Sequence, residues 1–193
     1  MNPLVLASTS KYKRSLFKQL GLPFQWVDPE IEEVFDPGLK PREQAAELAS
    51  QKAQAVESRF REATIIGADQ VLAFGDTILT KPGTKDKAVQ QLELLRGHEH
   101  CLHTAVCILE TKSGRSWTQT VTSTLKMAEN LTTEYLREVV ERDQTWDCVG
   151  AYKLESLGVT LFETIDTEDA TSIVGLPLLS ISTYLREKGY FIG

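Results

Sequence analysis

Three features that would point to a particular class of protein are absent or scarce in this sequence. No apolar run approaches the roughly 20 residues that a helix needs to cross a bilayer, and the N-terminus has neither the basic nor the long apolar segment of a secretion signal, so we expect a cytoplasmic protein. The three cysteines lack metal-ligand spacing, which favours reduced thiols over a disulfide framework. With 21 Lys and Arg against 27 Asp and Glu, the net charge of −6 argues against general binding to nucleic acid or acidic membranes.

Histidine is also scarce, and its three copies cluster at His98, His100 and His103. Their alternate spacing, without a carboxylate partner nearby, predicts surface side chains rather than a zinc site.

What is present is an alternation of predicted strands and helices, without internal repeats, over 193 residues. That length predicts a single domain over residues 1–193, with room for two lobes. Apolar runs and turn residues predict strands at about 4–7, 24–27, 64–74, 77–79, 101–109, 116–127 and 159–162. The strands at 101–109 and 116–127 are expected to form a hairpin, either at the edge of the sheet or in the second lobe. Periodicity and capping residues predict helices at about 10–20, 41–60, 84–97, 131–142 and 178–188. This order predicts an α/β fold with a mixed β-sheet flanked by helices.

The segment after the first predicted strand concentrates hydroxyl groups and positive charge. Ser8 and Ser10 are helix-capping residues, and Lys11, Lys13 and Arg14 follow in the first helical turn. Cations are disfavoured at the positive end of a helix dipole, and a bound anion would reverse that penalty. The segment is therefore either a phosphate-binding loop or a solvated basic turn.

Charges also interrupt two apolar patterns. Lys52 falls on the apolar stripe of the predicted helix 41–60, so its ammonium either extends to the edge of the core or reaches an anion in a pocket. Asp69 interrupts the apolar segment 64–74, where an unpaired buried carboxylate would cost several kcal/mol. We expect Gly67 to bend this segment and expose Asp69 at a strand end.

Other charged residues are candidates for the neighbourhood of Asp69. Lys81 lies on a stiff Lys-Pro-Gly corner, and with Lys52 and Arg14 it is an expected neighbour of that carboxylate. The acidic loop at residues 30–34 is either solvated charge or, if its strand lies beside the first one, a source of a metal ligand such as Glu33.

Several motifs together resemble the Maf nucleotide pyrophosphatases, most closely the YceF-like branch. The resemblance covers essentially the whole chain. Its carriers are Leu6-Ala7-Ser8-Thr9-Ser10, Glu32-Glu33, Gln51-Lys52-Ala53, Gly67-Ala68-Asp69-Gln70, Lys81-Pro82, Thr104-Ala105-Val106, Gly150-Ala151-Tyr152 and Val174-Gly175-Leu176-Pro177. It implies an elongated mixed sheet with a cleft between two lobes, often in a homodimer, and hydrolysis of a nucleoside triphosphate to the monophosphate and diphosphate with Mg²⁺ or Mn²⁺.

The resemblance also implies roles for individual residues. Asp69 would be the general base, and Glu33 and Asp69 would hold the divalent cation. The phosphates would be bound by Ser8, Ser10, Lys13, Arg14, Lys52 and Lys81. This chain departs from the family in having Lys13 where Arg is usual and Lys11 where Pro is frequent, and Lys13 lacks the bidentate fork of Arg.

Substrate choice is implied by three further positions, Tyr12, Gln70 and Glu155, whose residue types are associated with 7-methylguanosine triphosphate in the YceF-like branch. An aromatic face stabilises the positive charge of 7-methylguanine, and a carboxylate accepts hydrogen bonds from the N–H edge of guanine. Two alternatives stay open: a Maf pyrophosphatase that prefers dTTP or UTP, and a nucleotide-binding regulator of cell division, which would need the phosphate-binding residues but no base.

Overall fold

The computed structural model describes residues 1–191 of the chain. Its seven strands are β1 (Leu4–Ala7), β2 (Phe24–Val27), β3 (Thr64–Phe74), β4 (Thr77–Leu79), β5 (Glu99–Glu110), β6 (Arg115–Met127) and β7 (Phe162–Asp166). Its six α-helices are α1 (Lys11–Lys18), α2 (Pro41–Ala55), α3 (Lys85–Leu95), α4 (Thr133–Asp143), α5 (Ala170–Ile173) and α6 (Leu178–Glu187). None of the helices within residues 1–191 combines the length and the apolar character that a membrane span requires.

The strands form one mixed sheet in the order β2-β1-β3-β5-β6-β7, with β4 paired to β3. Strand β1 runs parallel to both β2 and β3, whereas β4 is antiparallel to β3 and β7 is antiparallel to β6. The predicted α/β fold with a mixed sheet is therefore confirmed. The hairpin of β5 and β6 lies inside the strand order, so its placement at a sheet edge was wrong.

The chain divides into two compact units. The first consists of Met1–Asp69, Thr104–Val121 and the residues from Asp169 onwards, and the second of Gln70–His103 and Thr122–Glu168. In the first unit, apolar side chains of β1, α1, β3, β5, α6 and the loop before α6 form one buried cluster. Its members are Leu4, Leu6, Leu16, Phe17, Ile66, Ala68, Val106, Ile108, Leu176, Leu178, Ile181, Tyr184 and Leu185.

The second unit has its own buried residues on α3, α4 and the flanking strands. They include Leu92, Leu95, Leu102, Leu125, Met127, Leu136 and Val139. His100 lies among them, 2% exposed, with its Nε2 2.9 Å from the hydroxyl of Tyr152. The prediction of a surface position was therefore wrong for His100, because its ring packs beside Tyr152 and Phe162.

Three predicted boundaries differ from the structure. Residues 64–74 form one continuous strand without a bend at Gly67, since backbone pairing with β1 includes that glycine. Helix α2 ends at Ala55 and is followed by a 3-10 turn, Glu57–Arg59. Residues Leu157–Leu161 form 3-10 turns, and the strand predicted there begins only at Phe162.

Candidate functional site

The loop between β1 and α1 has the predicted capping geometry. Ser10 is the N-cap of α1, and its hydroxyl oxygen accepts a hydrogen bond from the amide of Lys13 at 3.4 Å. The buried Ser8 supports the cap, because its hydroxyl accepts from the amide of Ser10 at 3.2 Å. No acidic residue lies in the first turn of α1 to balance its cations.

Two cations of this turn reach different places. The ammonium of Lys13 donates to the carbonyl oxygen of Ala68 at 2.6 Å, directly before Asp69 in β3. The guanidinium of Arg14 instead lies over the ring of Trp26 in β2, 4.2 Å from its centroid. Lys13 is therefore next to the predicted base, whereas Arg14 makes a cation–π contact on the β2 side of α1.

Lys52, Asp69 and Glu33 form a charged cluster in the first unit. The ammonium of Lys52 donates to Oδ1 of Asp69 and lies 2.6 Å from Oε1 of Glu33. The side chains of Lys52 and Asp69 are only 10% and 9% exposed, against 47% for Glu33. Lys52 thus has a buried ammonium, which pairs with the buried Asp69 on one side and with the half-exposed Glu33 on the other.

The charge state of Lys52 follows from two opposed effects. Burial by itself lowers the pKa of this ammonium, but the carboxylates of Asp69 and Glu33 outweigh it, and the pKa is raised above its ordinary value. Lys52 is therefore a cation at neutral pH, and the cluster holds one positive group between two carboxylates.

Close packing of α2 on β3 brings Lys52 to Asp69. A Cβ atom at Gly67 would lie 2.2 Å from the carbonyl oxygen of Ala49 and 2.7 Å from the amide nitrogen of Ala53, so only glycine fits. Asp69 follows Gly67 by two residues and shares its face of the strand, and Lys52 lies between the two alanines. This role of Gly67 was not predicted from the sequence; the signal for it is a glycine within a strand together with small residues on the neighbouring helix.

The carboxylate pair fits a divalent cation that binds together with a substrate. Asp69 and Glu33 converge on a single nitrogen atom, so their oxygens lie close together. Within the part of the chain that the structure describes, no group of three or more His, Cys, Asp or Glu side chains is arranged to hold a metal. Mg²⁺ is commonly held by one or two carboxylates and completed by phosphate oxygens and water, which matches this donor set.

Tyr12 lies in the same first turn of α1 and is half-buried. The ammonium of Lys11 lies over its ring, 5.0 Å from the centroid. The ring therefore already makes a cation–π contact within its own turn.

The remaining predicted residues, Gln70, Lys81 and Glu155, belong to the second unit. Gln70 is half-buried in β3 directly after Asp69, and Lys81 is exposed on a corner held by a 2.8 Å hydrogen bond from the amide of Gly83 to the carbonyl of Trp146. Glu155 is exposed in the turn between α4 and β7.

Comparison with known proteins adds an independent observation. The family model described as "Maf-like protein" matches residues 3–188. The chain belongs to the Maf family.

Curated relatives of this Maf protein carry a common name. A "7-methyl-GTP pyrophosphatase" of Aromatoleum aromaticum is 39% identical, with 98% of this chain and 97% of the relative covered. Proteins of the same name from Burkholderia thailandensis and Polaromonas sp. are 37% and 39% identical, covering 97% of this chain and 88% and 85% of the relatives. The Maf resemblance inferred from the motifs is thereby confirmed.

Proposed function

We propose that this protein hydrolyses nucleoside triphosphates to the monophosphate and diphosphate, with 7-methyl-GTP as the preferred substrate. The observation that carries the proposal is the cluster of the buried Lys52 and Asp69 with the half-exposed Glu33, beside a basic capped loop. Membership of the Maf family and the name shared by the curated relatives support it.

Asp69 is the proposed general base. Lys52 occupies its Oδ1, while no described residue donates to Oδ2, so the second oxygen is able to take a proton from water. The water oxygen then forms a bond to phosphorus, the bridging α–β phosphoanhydride bond breaks, and diphosphate leaves with the electron pair of that bond.

Cations and hydroxyls of the chain would bind the phosphates. Lys13 and Lys52 carry their ammonium groups beside Asp69, and Ser8 and Ser10 shape the loop before α1. Lys81 and Arg14 complete the proposed phosphate-binding set, Arg14 after leaving its contact with Trp26. Positive groups at these positions stabilise the charge that builds on the leaving diphosphate.

Glu33 and Asp69 are the proposed ligands of Mg²⁺ or Mn²⁺. Such a cation, when bound, neutralises phosphate charge and polarises the bond that breaks. The half-exposed Glu33 leaves this side of the cluster accessible to phosphate oxygens and water.

Three residues are proposed to select the base. Tyr12 would stack on 7-methylguanine, whose positive charge an aromatic face stabilises by about 0.5–2 kcal/mol. Glu155 would accept hydrogen bonds from the N–H edge of guanine. A pyrimidine with a carbonyl in that position would be disfavoured, because its oxygen and the carboxylate are both hydrogen-bond acceptors. Gln70, directly beside Asp69, would contact the nucleotide near the reacting phosphates.

Diphosphate release from a panel of 7-methyl-GTP, GTP, UTP and dTTP tests the proposal. We expect kcat/KM to be highest for 7-methyl-GTP, lower for GTP and lowest for the pyrimidine nucleotides, in the presence of Mg²⁺ or Mn²⁺. Preference for UTP or dTTP would overturn the proposed substrate and leave the proposed hydrolysis reaction standing. Tight nucleotide binding without any diphosphate release would overturn the reaction and favour a regulator.

A further inference from the structure

The turn that carries Glu155 is closed on itself. The carbonyl oxygen of Lys153 accepts hydrogen bonds from the amides of Ser156 at 3.1 Å and Gly158 at 3.0 Å. Gly158 packs directly on the backbone of Lys153, because a Cβ atom there would lie 2.4 Å from the Lys153 carbonyl oxygen. Glu155 lies at the exposed tip of this turn, between two fixed ends.

Asp143, the last residue of α4, holds one flank of the turn. Its Oδ1 accepts from the hydroxyl of Ser156 at 2.8 Å, and its Oδ2 accepts from the amide of Leu157 at 2.9 Å. Both carboxylate oxygens are therefore used on the two residues that directly follow Glu155.

Lys153 holds the other flank on the same helix end. Its ammonium donates to the carbonyl oxygen of Asp143 and lies 3.3 Å from that of Gln144. The Glu155 turn is thus attached to the C-terminus of α4 on both sides, through Lys153 before it and through Ser156 and Leu157 after it. We call this set of contacts the α4 clamp.

An aspartate is an unfavourable choice at this position for the helix alone. The C-terminal end of a helix carries partial negative charge and favours Lys, Arg or His. A carboxylate there lowers the equilibrium constant for helix formation by up to about tenfold. Asp143 offsets this cost through its two contacts with the turn, and the Lys153 ammonium supplies the cation at the last carbonyls.

We propose that Asp143 is a positioning residue for substrate selection, which holds Glu155 where it can accept hydrogen bonds from the base. This inference rests on the proposed role of Glu155 in distinguishing guanine from pyrimidine bases. A carboxylate on a free turn would sample many positions, whereas one on a clamped turn is already placed when the nucleotide binds. The clamp therefore determines selectivity, not the chemistry of the phosphates.

A double-mutant cycle on the full chain tests the proposal. The readout is the selectivity ratio, which is kcat/KM for 7-methyl-GTP divided by kcat/KM for UTP. We expect Asp143→Ala to lower this ratio about fivefold or more, as for loss of a hydrogen bond, and Glu155→Ala to lower it at least as far. Because Asp143 acts through Glu155, the double variant should lose no more selectivity than Glu155→Ala alone.

Two further variants keep the test decisive. Ser156→Ala removes one contact of the clamp from an exposed position and should lower the ratio in the same direction by a smaller factor, even if Asp143→Ala does not fold. Arg142→Ala is the matched control and should leave the ratio unchanged, since among residues 1–191 the guanidinium of Arg142 pairs with the exposed Glu138, at 3.1 Å, and not with the Glu155 turn. Hydrogen exchange at the Leu157 amide should accelerate in Asp143→Ala and not in Arg142→Ala.

The outcomes separate this inference from the function on which it rests. Two results would show that the α4 clamp has only a structural role: an equal fall in kcat/KM for both nucleotides in Asp143→Ala, or an unchanged selectivity ratio in Ser156→Ala. Either result would overturn the positioning role of Asp143 and leave the proposed role of Glu155 standing. An unchanged selectivity ratio in Glu155→Ala would overturn the proposed role of Glu155, and with it the positioning role of Asp143. Loss of selectivity in Asp143→Ala that persists in the Glu155→Ala background would show that Asp143 acts by another route.

Discussion

Lys52 in helix α2 and Asp69 in strand β3 form a buried ion pair, 17 positions apart in sequence. Taking both charges out of water costs several kcal/mol per ion, and their attraction offsets this only with good geometry and further partners. Glu33 is such a partner, at 2.6 Å from the same ammonium. The pair is therefore weak evidence for stability, and it is consistent with the proposed reaction site.

Replacing Asp69 by Asn should abolish turnover and leave the fold intact. The change keeps the size of the side chain and removes the carboxylate, and loss of a general base costs about 10²–10⁴-fold in rate, more if the group also binds metal. Diphosphate release and thermal unfolding measure the two effects, with the exposed turn residue Asp76→Asn as control. Retention of more than about half the wild-type activity would remove Asp69 from the chemistry.

Lys52→Met should be harmful to both activity and stability. Met suits the apolar stripe, but it leaves Asp69 buried without its cation, and breaking a buried pair costs about 3–5 kcal/mol in the free energy of unfolding. Denaturant titration and kcat/KM are to be compared with Gln54→Met, an exposed position on the same helix. A destabilised variant with unchanged kcat/KM would make Lys52 purely structural.

Gly67→Ala should disturb the site without removing a charged group. The added methyl would collide with the backbone of α2, and overpacking of this kind costs about 1–3 kcal/mol or more in stability. Separation of α2 from β3 also misplaces Lys52 relative to Asp69, and an error of about 1 Å at a reactive site can cost about 100-fold in rate. A variant with wild-type melting temperature and activity would contradict the close approach of helix and strand.

Lys11→Ala should improve the use of 7-methyl-GTP specifically. The Lys11 ammonium lies over the Tyr12 ring, where it would compete with, or repel, the positively charged base that is proposed to stack there. An exposed cation–π contact is worth about 0.5–1 kcal/mol, so KM for 7-methyl-GTP should fall by roughly two- to fivefold. KM for GTP should change little, and Lys18→Ala at the other end of α1 serves as control. An equal change for both nucleotides would separate Tyr12 from recognition of the methylated base.

Burial of His100 should make stability dependent on pH. Desolvation lowers its pKa to about 4, below the ordinary value of about 6.5. Between these two pH values the imidazole is protonated in the unfolded chain but neutral in the folded chain. The free energy of unfolding therefore decreases by roughly 3 kcal/mol as pH falls from about 6.5 to about 4.

The His100→Gln variant isolates this effect from the carboxylates, which titrate in the same range. The difference in unfolding free energy between wild type and His100→Gln should shrink or reverse as pH falls, because the variant lacks the titrating ring. His103→Gln, on the same strand but more exposed, is the control. A difference that stays constant between pH 7 and pH 4 would show that His100 is not excluded from protonation in the folded state.

Local sequence determined much of the fold of this protein. Ser10 caps α1 and Thr84 caps α3, as their hydroxyls predicted at the start of helices 10–20 and 84–97. Helix α4 was predicted from residue 131, and its cap is Thr132. Lys52 was found as a charge on an apolar stripe, and Asp69 as a carboxylate that needs a partner. These predictions succeeded because capping, helical periodicity and the cost of a buried charge depend on residues a few positions apart.

Only the tertiary structure decided which partners these residues have. Gly67 serves close packing rather than a bend, Arg14 contacts Trp26, Glu33 reaches Lys52, and His100 is buried beside Tyr152. The clamp between Asp143 and the Glu155 turn likewise joins segments that no local pattern connects. Sequence periodicity predicts which face of a strand or helix a residue occupies. Which residue it contacts in the folded protein depends on how closely the backbones of distant elements pack, and on which distant charged groups pair when both are removed from water.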